Sequence, residues 1–513
     1  MRIRLAPIFL LFAAACSDPT DTTAPPEDLS FPEGFVFGTA TAGFQVDMGC
    51  PTLPASECED PGSDWYAFVT SEEMKMDASN FLNGDPPSAG PGHWELYEKD
   101  FDLAKDELHT GGYRMSIEWS RIFPTQTDGV EGYEALKAIA SAPAIDHYHK
   151  VFAALRARGI APLVTLNHYT LPTWIHDAVG CHNDLAGCSP KGWVDKDRTV
   201  TEIAKYAGFV AQEFGAEVDR WATLNEPFAV VLPGYLQPNA ERSNPPAVLL
   251  KSEEARIVMN ALIEAHARMY DAVKAADKAD ADADGKASEV GVVYAMAPIA
   301  PVNPENNLDK KAAENIFYLF NLVYLNAVVK GDLDHDLDGV AEHRADLENR
   351  MDYLGINYYF RVKVVGTGSA FLPELSELTT FDPFKVETGE LYPKGIYDMA
   401  MLAKEMGVPA YITENGLPIE VDDDGPSEFL VQHLTWVKRA IRDGADIRGY
   451  YYWSLLDNYE WNHGMDMHFG LYAVDKGDPL KIRSARKIAK VYGEIAGAGA
   501  ISPELAAQFP APE

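Results

Sequence analysis

Thr223-Leu224-Asn225-Glu226-Pro227 and Ile412-Thr413-Glu414-Asn415-Gly416 each bring one glutamate to the end of an apolar, β-prone run. Runs of this kind recur along the chain, separated by longer stretches of helical periodicity. They lie near Val36 to Ala42, Gly112 to Ile117, Ala161 to Asn167, Arg220 to Leu224, Val290 to Ala295, Tyr353 to Tyr358, Ala410 to Thr413 and Ile447 to Trp453. Strand signals that alternate with helix signals mark repeated βα units and a parallel sheet. Eight such units close most simply into a single (β/α)8 TIM barrel, an α/β fold, here with elaborated βα loops. Its chemistry sits at the carboxyl ends of the strands. Gln45, Arg114, His168, Asn225, Glu226, Asn357, Tyr359, Glu414 and Trp453 lie on or just beyond seven of the runs. Strands built only to pack would not need them.

The 513 residues would hold three average domains, yet one elaborated barrel is also compatible, because such barrels range from about 200 to more than 400 residues. Hydrophobic residues make up 47% of the chain, enough for a large core. The formal net charge of −35 repels nucleic acids, phosphorylated ligands and anionic polysaccharides and is indifferent to neutral sugars. Nucleic acid is therefore not an expected partner, and neutral substrates fit best. The plain alternative is that the charge serves solubility alone. The sequence suggests no nucleotide site, redox cofactor or catalytic metal, and leaves the oligomeric state open.

At the amino terminus, Arg2 and Arg4 precede an apolar run from Leu5 to Ala15. The run is too short for a permanent membrane span and suits the core of a signal peptide, so residues 1–15 are set apart from the fold. Ala13-Ala14-Ala15-Cys16 resembles a bacterial lipobox, with Ala where Leu is usual. Cys16 is then the lipidated first residue of an exported lipoprotein on a periplasmic or cell-surface membrane. Ordinary cleavage and secretion is the alternative. Residues 16–30, rich in Asp, Thr and Pro, read as a flexible tether, 31–500 as the barrel and 501–513 as a C-terminal tail. With Cys16 set aside, four cysteines remain as two close couples, and export favours local disulfides Cys50 to Cys58 and Cys181 to Cys188. Three pairings are formally open.

Two separated glutamates are the minimum machinery for breaking a glycosidic bond. One carboxyl protonates the leaving oxygen, and the other stabilises or attacks the oxocarbenium-like centre. Around them stand Phe31-Pro32-Glu33-Gly34-Phe35 leading to Gly38-Thr39-Ala40-Thr41-Ala42, and Glu118-Trp119-Ser120-Arg121-Ile122-Phe123-Pro124. Trp453-Ser454-Leu455-Leu456-Asp457-Asn458-Tyr459-Glu460-Trp461 follows the second glutamate. In these motifs and their order, the chain from about Phe31 to about Gly499 resembles the β-glycosidases of glycoside hydrolase family 1. Ser63-Asp64-Trp65-Tyr66 and Gly90-Pro91-Gly92-His93-Trp94 look closest to the archaeal branch.

That resemblance implies a retaining, exo-acting β-glycosidase for glucosides, galactosides or fucosides, working by double displacement through a covalent glycosyl-enzyme. It makes Glu414 the nucleophile, with Arg114 and Tyr359 favouring its charged form. Glu226 becomes the general acid and then the base, a role that requires a proton near neutral pH. Asn225 matches the residue on the sugar 2-hydroxyl. Gln45, His168, Glu460 and the Trp461 indole match residues on the other hydroxyls, and Trp453 matches the floor under the ring. Glu460 disfavours 6-phosphoglycosides by like-charge repulsion. Taken singly, a Gln or His here is an ordinary buried, hydrogen-bonded group.

Three departures from the family pattern are expected to reshape the entrance or the support of the site. Tyr169 stands where many relatives have Trp, Asp47 replaces a common Glu, and Gly389-Glu390 lacks the Trp often found ahead of Tyr392-Pro393. Elsewhere, Asp280, Asp282 and Asp284, and likewise Asp334, Asp336 and Asp338, follow the pattern Asp-x-Asp-x-Asp-Gly. Such loops gather hard oxygen ligands and make both candidates for structural calcium on the barrel face away from catalysis. Gly291 and Ala345 at the twelfth positions leave them incomplete, and a solvated acidic loop is the alternative. The rival functions are a transglycosylase using the same intermediate and a non-catalytic sugar-binding barrel.

Overall fold

The computed structural model describes residues 27–512. Its centre is a closed barrel of eight parallel strands: β1 (Val36–Ala40), β2 (Gly112–Ser116), β3 (Ala161–Asn167), β4 (Arg220–Asn225), β5 (Glu289–Ala295), β6 (Tyr353–Asn357), β7 (Ala410–Asn415) and β8 (Ile447–Trp453). Each strand pairs with its neighbours in sequence, and β1 closes on β8 from Val36 with Gly449 to Ala40 with Trp453. The strands coincide with the expected runs, with ends shifted by at most two residues. An outer ring follows in step: α1 (His93–Asp102), α2 (Ala142–Ala157), α3 (Lys196–Phe214), α4 (Ser252–Ala276), α5 (Val323–Lys330), α6 (Lys394–Met406), α7 (Gly425–Arg442) and α8 (Lys487–Ala498).

The strands alternate because they have two apolar faces to satisfy. Along β8, Tyr450 and Tyr452 join the core beneath the helices, whereas Tyr451 and Trp453 turn into the barrel. There they meet Leu163, Ala222, Val293, Tyr353 and Tyr411. Large rings inside need small residues opposite. A Cβ on Gly38 would lie 2.5 Å from the Tyr451 ring.

Both edges of the barrel domain differ from the expected boundaries. Leu29 is buried, Ser30 bridges to Ala500, and Glu27 pairs with Arg439 and Arg442 of α7. The end of the segment assigned as a tether therefore belongs to the folded body. The segment assigned as a tail carries a helix, Pro503–Gln508, with Ile501, Leu505 and Phe509 buried. A few well-placed apolar side chains dock each edge, which average composition does not reveal. The signal segment, Cys16 and the first part of the tether lie outside the described residues.

Disulfides join Cys50 to Cys58 in the loop after β1 and Cys181 to Cys188 in the loop after β3. Both acidic loops lead into strand amino ends, Asp280–Gly285 before β5 and Asp334–Gly339 before β6. In the first, carboxylate oxygens of Asp280 and Asp282 come within 4.8 Å of Asp219, which takes the place expected for Asp284. In the second, Asp334, Asp336 and Asp338 do converge. Asp334 already accepts hydrogen bonds from the Tyr318 hydroxyl and the Asp338 and Gly339 N–H groups.

Below the barrel mouth, Glu118 fastens three loops together. It accepts from Ser116 Oγ at 2.9 Å and Thr170 Oγ1 at 2.6 Å, and Ser116 Oγ accepts from the N–H of Gly43 at 2.7 Å. Asp47 and Asp60 are buried nearby, with Arg121 3.7 Å from Asp47. Burial pushes Glu118 up to about 7 and Asp47 up to about 6. A carboxyl whose folded pKa is raised binds its proton more tightly in the native state. Its contribution is therefore lost as pH rises from the unfolded value near 4.5 through the folded value near 7. Glu118→Gln should remove that dependence. Urea unfolding is expected to show the variant gaining on the parent between pH 5 and 8, by up to about 3 kcal/mol. A constant difference across that range would contradict it.

Candidate active site

The two glutamates reach the barrel mouth through breaks in strand alternation. Ala222 and Asn225 of β4 are three residues apart, as are Tyr411 and Glu414 of β7, so on regular strands they would face opposite sides. In both strands the register shifts in between: on β4 between Ala222 and Asn225, on β7 between Ile412 and Glu414. Such bulges re-aim side chains, and here they turn Asn225 and Glu414 inward. Glu226 follows with φ +43° as the cap of a short helix opened by Pro227, and its N–H donates to the Val293 carbonyl at 2.8 Å. Gly416 permits the next close approach, since a Cβ there would lie 2.0 Å from the Trp453 carbonyl oxygen.

Arg114, fully buried on β2, ties the mouth together. Its guanidinium donates to Glu414, to Asn225 Oδ1 at 2.7 Å and to Thr165 Oγ1 at 3.1 Å. The Tyr359 hydroxyl donates to the other Glu414 oxygen. Glu226 has neutral partners only: Asn357 Nδ2 donates to Oε1 at 2.8 Å, and the Tyr169 hydroxyl donates to Oε2. Asn357 also donates to Asn225 Oδ1 at 3.2 Å and accepts from Thr413 Oγ1 at 2.8 Å.

The remaining sugar-facing candidates line the same mouth. Gln45 donates to Glu460 Oε2 and to Asn458 Oδ1, both at 2.9 Å. His168 lies 3.2 Å from Asn225 Nδ2, and its ring runs nearly parallel to Trp453 and Trp461, with centroids 5.9 Å away in each case. Gln45 Oε1 and His168 Nδ1 are buried without a protein partner, as groups reserved for ligand hydroxyls would be. Arg242, from the loop after β4, sits 3.6 Å from Glu460 and covers the rings of Tyr169 and Trp461 at 5.0 and 4.9 Å.

Burial dominates the electrostatics. It pushes Glu414 up to about 7; Arg114 opposes the rise, and the charge of Glu226 adds to it. Arg114 and Tyr359 both favour the charged form, and they restrain the rise without cancelling it. The guanidinium touches Glu414 and not Glu226, so an ionised Glu414 is the state the geometry favours. Glu460 rises to about 7 for the same reason, with Arg242 opposing. Burial, then Arg114 and Arg242, hold His168 well below its usual range, so it is a neutral imidazole.

Three residues were not assigned these contacts from sequence. Asn357 is expected at a strand end with no role, and its pairing with Glu414 between β6 and β7 is something no single stretch of sequence records. Tyr169, expected to reshape the entrance or the support of the site, touches Glu226. Arg242 lies in a loop with no motif to mark it.

The sequence profile of glycosyl hydrolase family 1 matches residues 27–500. A beta-galactosidase of Pyrococcus woesei is 35% identical over 489 residues, covering 87% of this chain and 93% of that one. Beta-glucosidase A of Thermotoga maritima is 28% identical over 476 residues, covering 88% and 95%. The solved beta-glycosidase of Thermosphaera aggregans superposes with a TM-score of 0.81 at 30% identity, covering 94% of this chain and all of that one. The chain belongs to glycosyl hydrolase family 1. It is a glycosidase, from a family of retaining enzymes that need no cofactor for catalysis.

Arg114→Met isolates the guanidinium. Without it Glu414 binds its proton more tightly, so the acidic limb of kcat/KM should move to higher pH, and kcat should fall by about 10²- to 10³-fold. A pH–rate profile with an unmoved acidic limb would contradict the assignment.

Proposed function

We propose that this enzyme removes single sugars from neutral β-glucosides, β-galactosides or β-fucosides, with Glu414 as nucleophile and Glu226 as acid and base. One observation carries the reading: two carboxyls meet at one barrel mouth, one bound by a guanidinium and a phenol, the other by neutral groups only. A Glu414 oxygen attacks the anomeric carbon while Glu226 gives its proton to the departing oxygen. Glu226 then takes a proton from water, whose oxygen attacks the same carbon and breaks its bond to Glu414. Asn225 serves the 2-hydroxyl, Gln45, His168, Glu460 and Trp461 serve the others, and Trp453 lies under the ring. Glu460 among buried carboxyls opposes a sugar phosphate. The names of the Pyrococcus and Thermotoga relatives, a galactosidase and a glucosidase, support a pocket that takes both sugars.

Residues 2–16 support export with lipid attachment at Cys16, and two local disulfides suit an oxidising compartment. For the chemistry, the test is a pair of variants on nitrophenyl and alkyl β-glycosides. Glu414→Gly should lose all turnover. Glu226→Ala should lose alkyl glycosides by about 10²- to 10⁴-fold, keep bond cleavage for activated aryl leaving groups, and form β-glycosyl azide when azide is added. Full activity in either variant would overturn the roles.

A further inference from the structure

Tyr169 follows His168 at the end of β3, and its backbone lies in the left-handed region, φ +73°. An aromatic side chain is rarely found there, and surrounding contacts must hold it. Those contacts are present: the rings of Trp461 and His168 each meet it with centroids 5.0 Å apart, the Arg242 guanidinium covers it, and it is 6% exposed. Its hydroxyl has Glu226 Oε2 as hydrogen-bond partner.

The two oxygens of Glu226 are not equivalent. Oε1 faces the Asn357 amide N–H, which can only donate, so a proton on Oε1 would weaken that bond. Oε2 faces a hydroxyl that can donate or accept. We infer that Tyr169 is the positioning residue of the acid/base: it fixes the transferable proton on Oε2 and holds Glu226 in both protonation states. When Glu226 carries its proton, the phenol oxygen accepts from Oε2–H, the reverse of its bond to the carboxylate, in which the phenol donates. When that proton passes to the departing oxygen, the phenol hydrogen rotates and donates to the new carboxylate. Glu226 then stays ionised until water supplies a proton in the second step, and no heavy atom needs to move. Burial and the Glu226 charge push the phenol well above its usual range, so it keeps its own hydrogen.

The inference rests on Glu226 being the acid and base. A bond to the ionised carboxylate is stronger than one to the neutral acid, so Tyr169 on balance favours the charged form. The titratable and charged groups facing the pair are Glu414, Arg114, Tyr359, Glu460, Arg242 and His168. All remain in Tyr169→Phe, which removes one oxygen and keeps the ring. The experiment compares pH profiles of kcat/KM for parent, Tyr169→Phe and Glu226→Ala on an alkyl and a dinitrophenyl β-glucoside. In Tyr169→Phe the alkaline limb should move up by about half to one pH unit. The alkyl substrate should lose about tenfold, and the dinitrophenyl substrate, which needs no proton, less than about twofold. Thermal unfolding should match the parent. An unmoved alkaline limb with equal losses on both substrates would make Tyr169 merely structural and overturn the inference. If Glu226→Ala instead keeps the alkyl substrate, the acid/base reading itself fails.

Discussion

A single buried cation organises the mouth of this barrel. Arg114 has no exposure to water, and an unpaired guanidinium there would cost several kcal/mol. The fold supplies its acceptors from three other strands: Thr165 from β3, Asn225 from β4 and Glu414 from β7. The same contacts bring Asn225 and Glu414 together, so the electrostatic need of one side chain fixes the relative position of two residues that lie 111 and 300 positions beyond it in sequence.

The rest of the site is a division of partners between carboxyls that share one barrel mouth. Glu414 receives the charge and Glu226 receives the neutral donors. Glu460, further along the wall, has its own guanidinium in Arg242, which lies against the rings of Tyr169 and Trp461. The sugar wall and the acid/base support are therefore one packed unit. Glu118 anchors it from below through Ser116 and Thr170, and so ties together the loops that carry Gln45, His168 and Tyr169.

The barrel was legible because its strands obey a simple rule. Tyr450 to Trp453 alternate between two apolar environments, and a stretch with two buried faces stands out in the sequence as a continuous β-prone run. The glutamates were legible from their motifs. The bulges were not: Leu224 and Thr413 look like ordinary strand residues, and a register shift belongs to the pairing rather than to one strand. Tyr169 stands out in the sequence only as a departure from the family pattern, because its contact depends on a left-handed backbone. Arg242 and Asp219 join their neighbours through loop paths that no local pattern records. The docked ends were hidden in the same way, since Leu29, Leu505 and Phe509 matter for where they land.

The chemistry of this site depends on Glu414 being the carboxylate that forms a bond to the sugar. A 2-deoxy-2-fluoro β-glucosyl fluoride slows both steps and, with a good leaving group, traps the intermediate, so the labelled enzyme can be digested and its peptides weighed. One sugar per chain is expected, on the peptide containing Glu414. A label on the Glu226 peptide, or time-dependent inactivation with no covalent sugar, would contradict it.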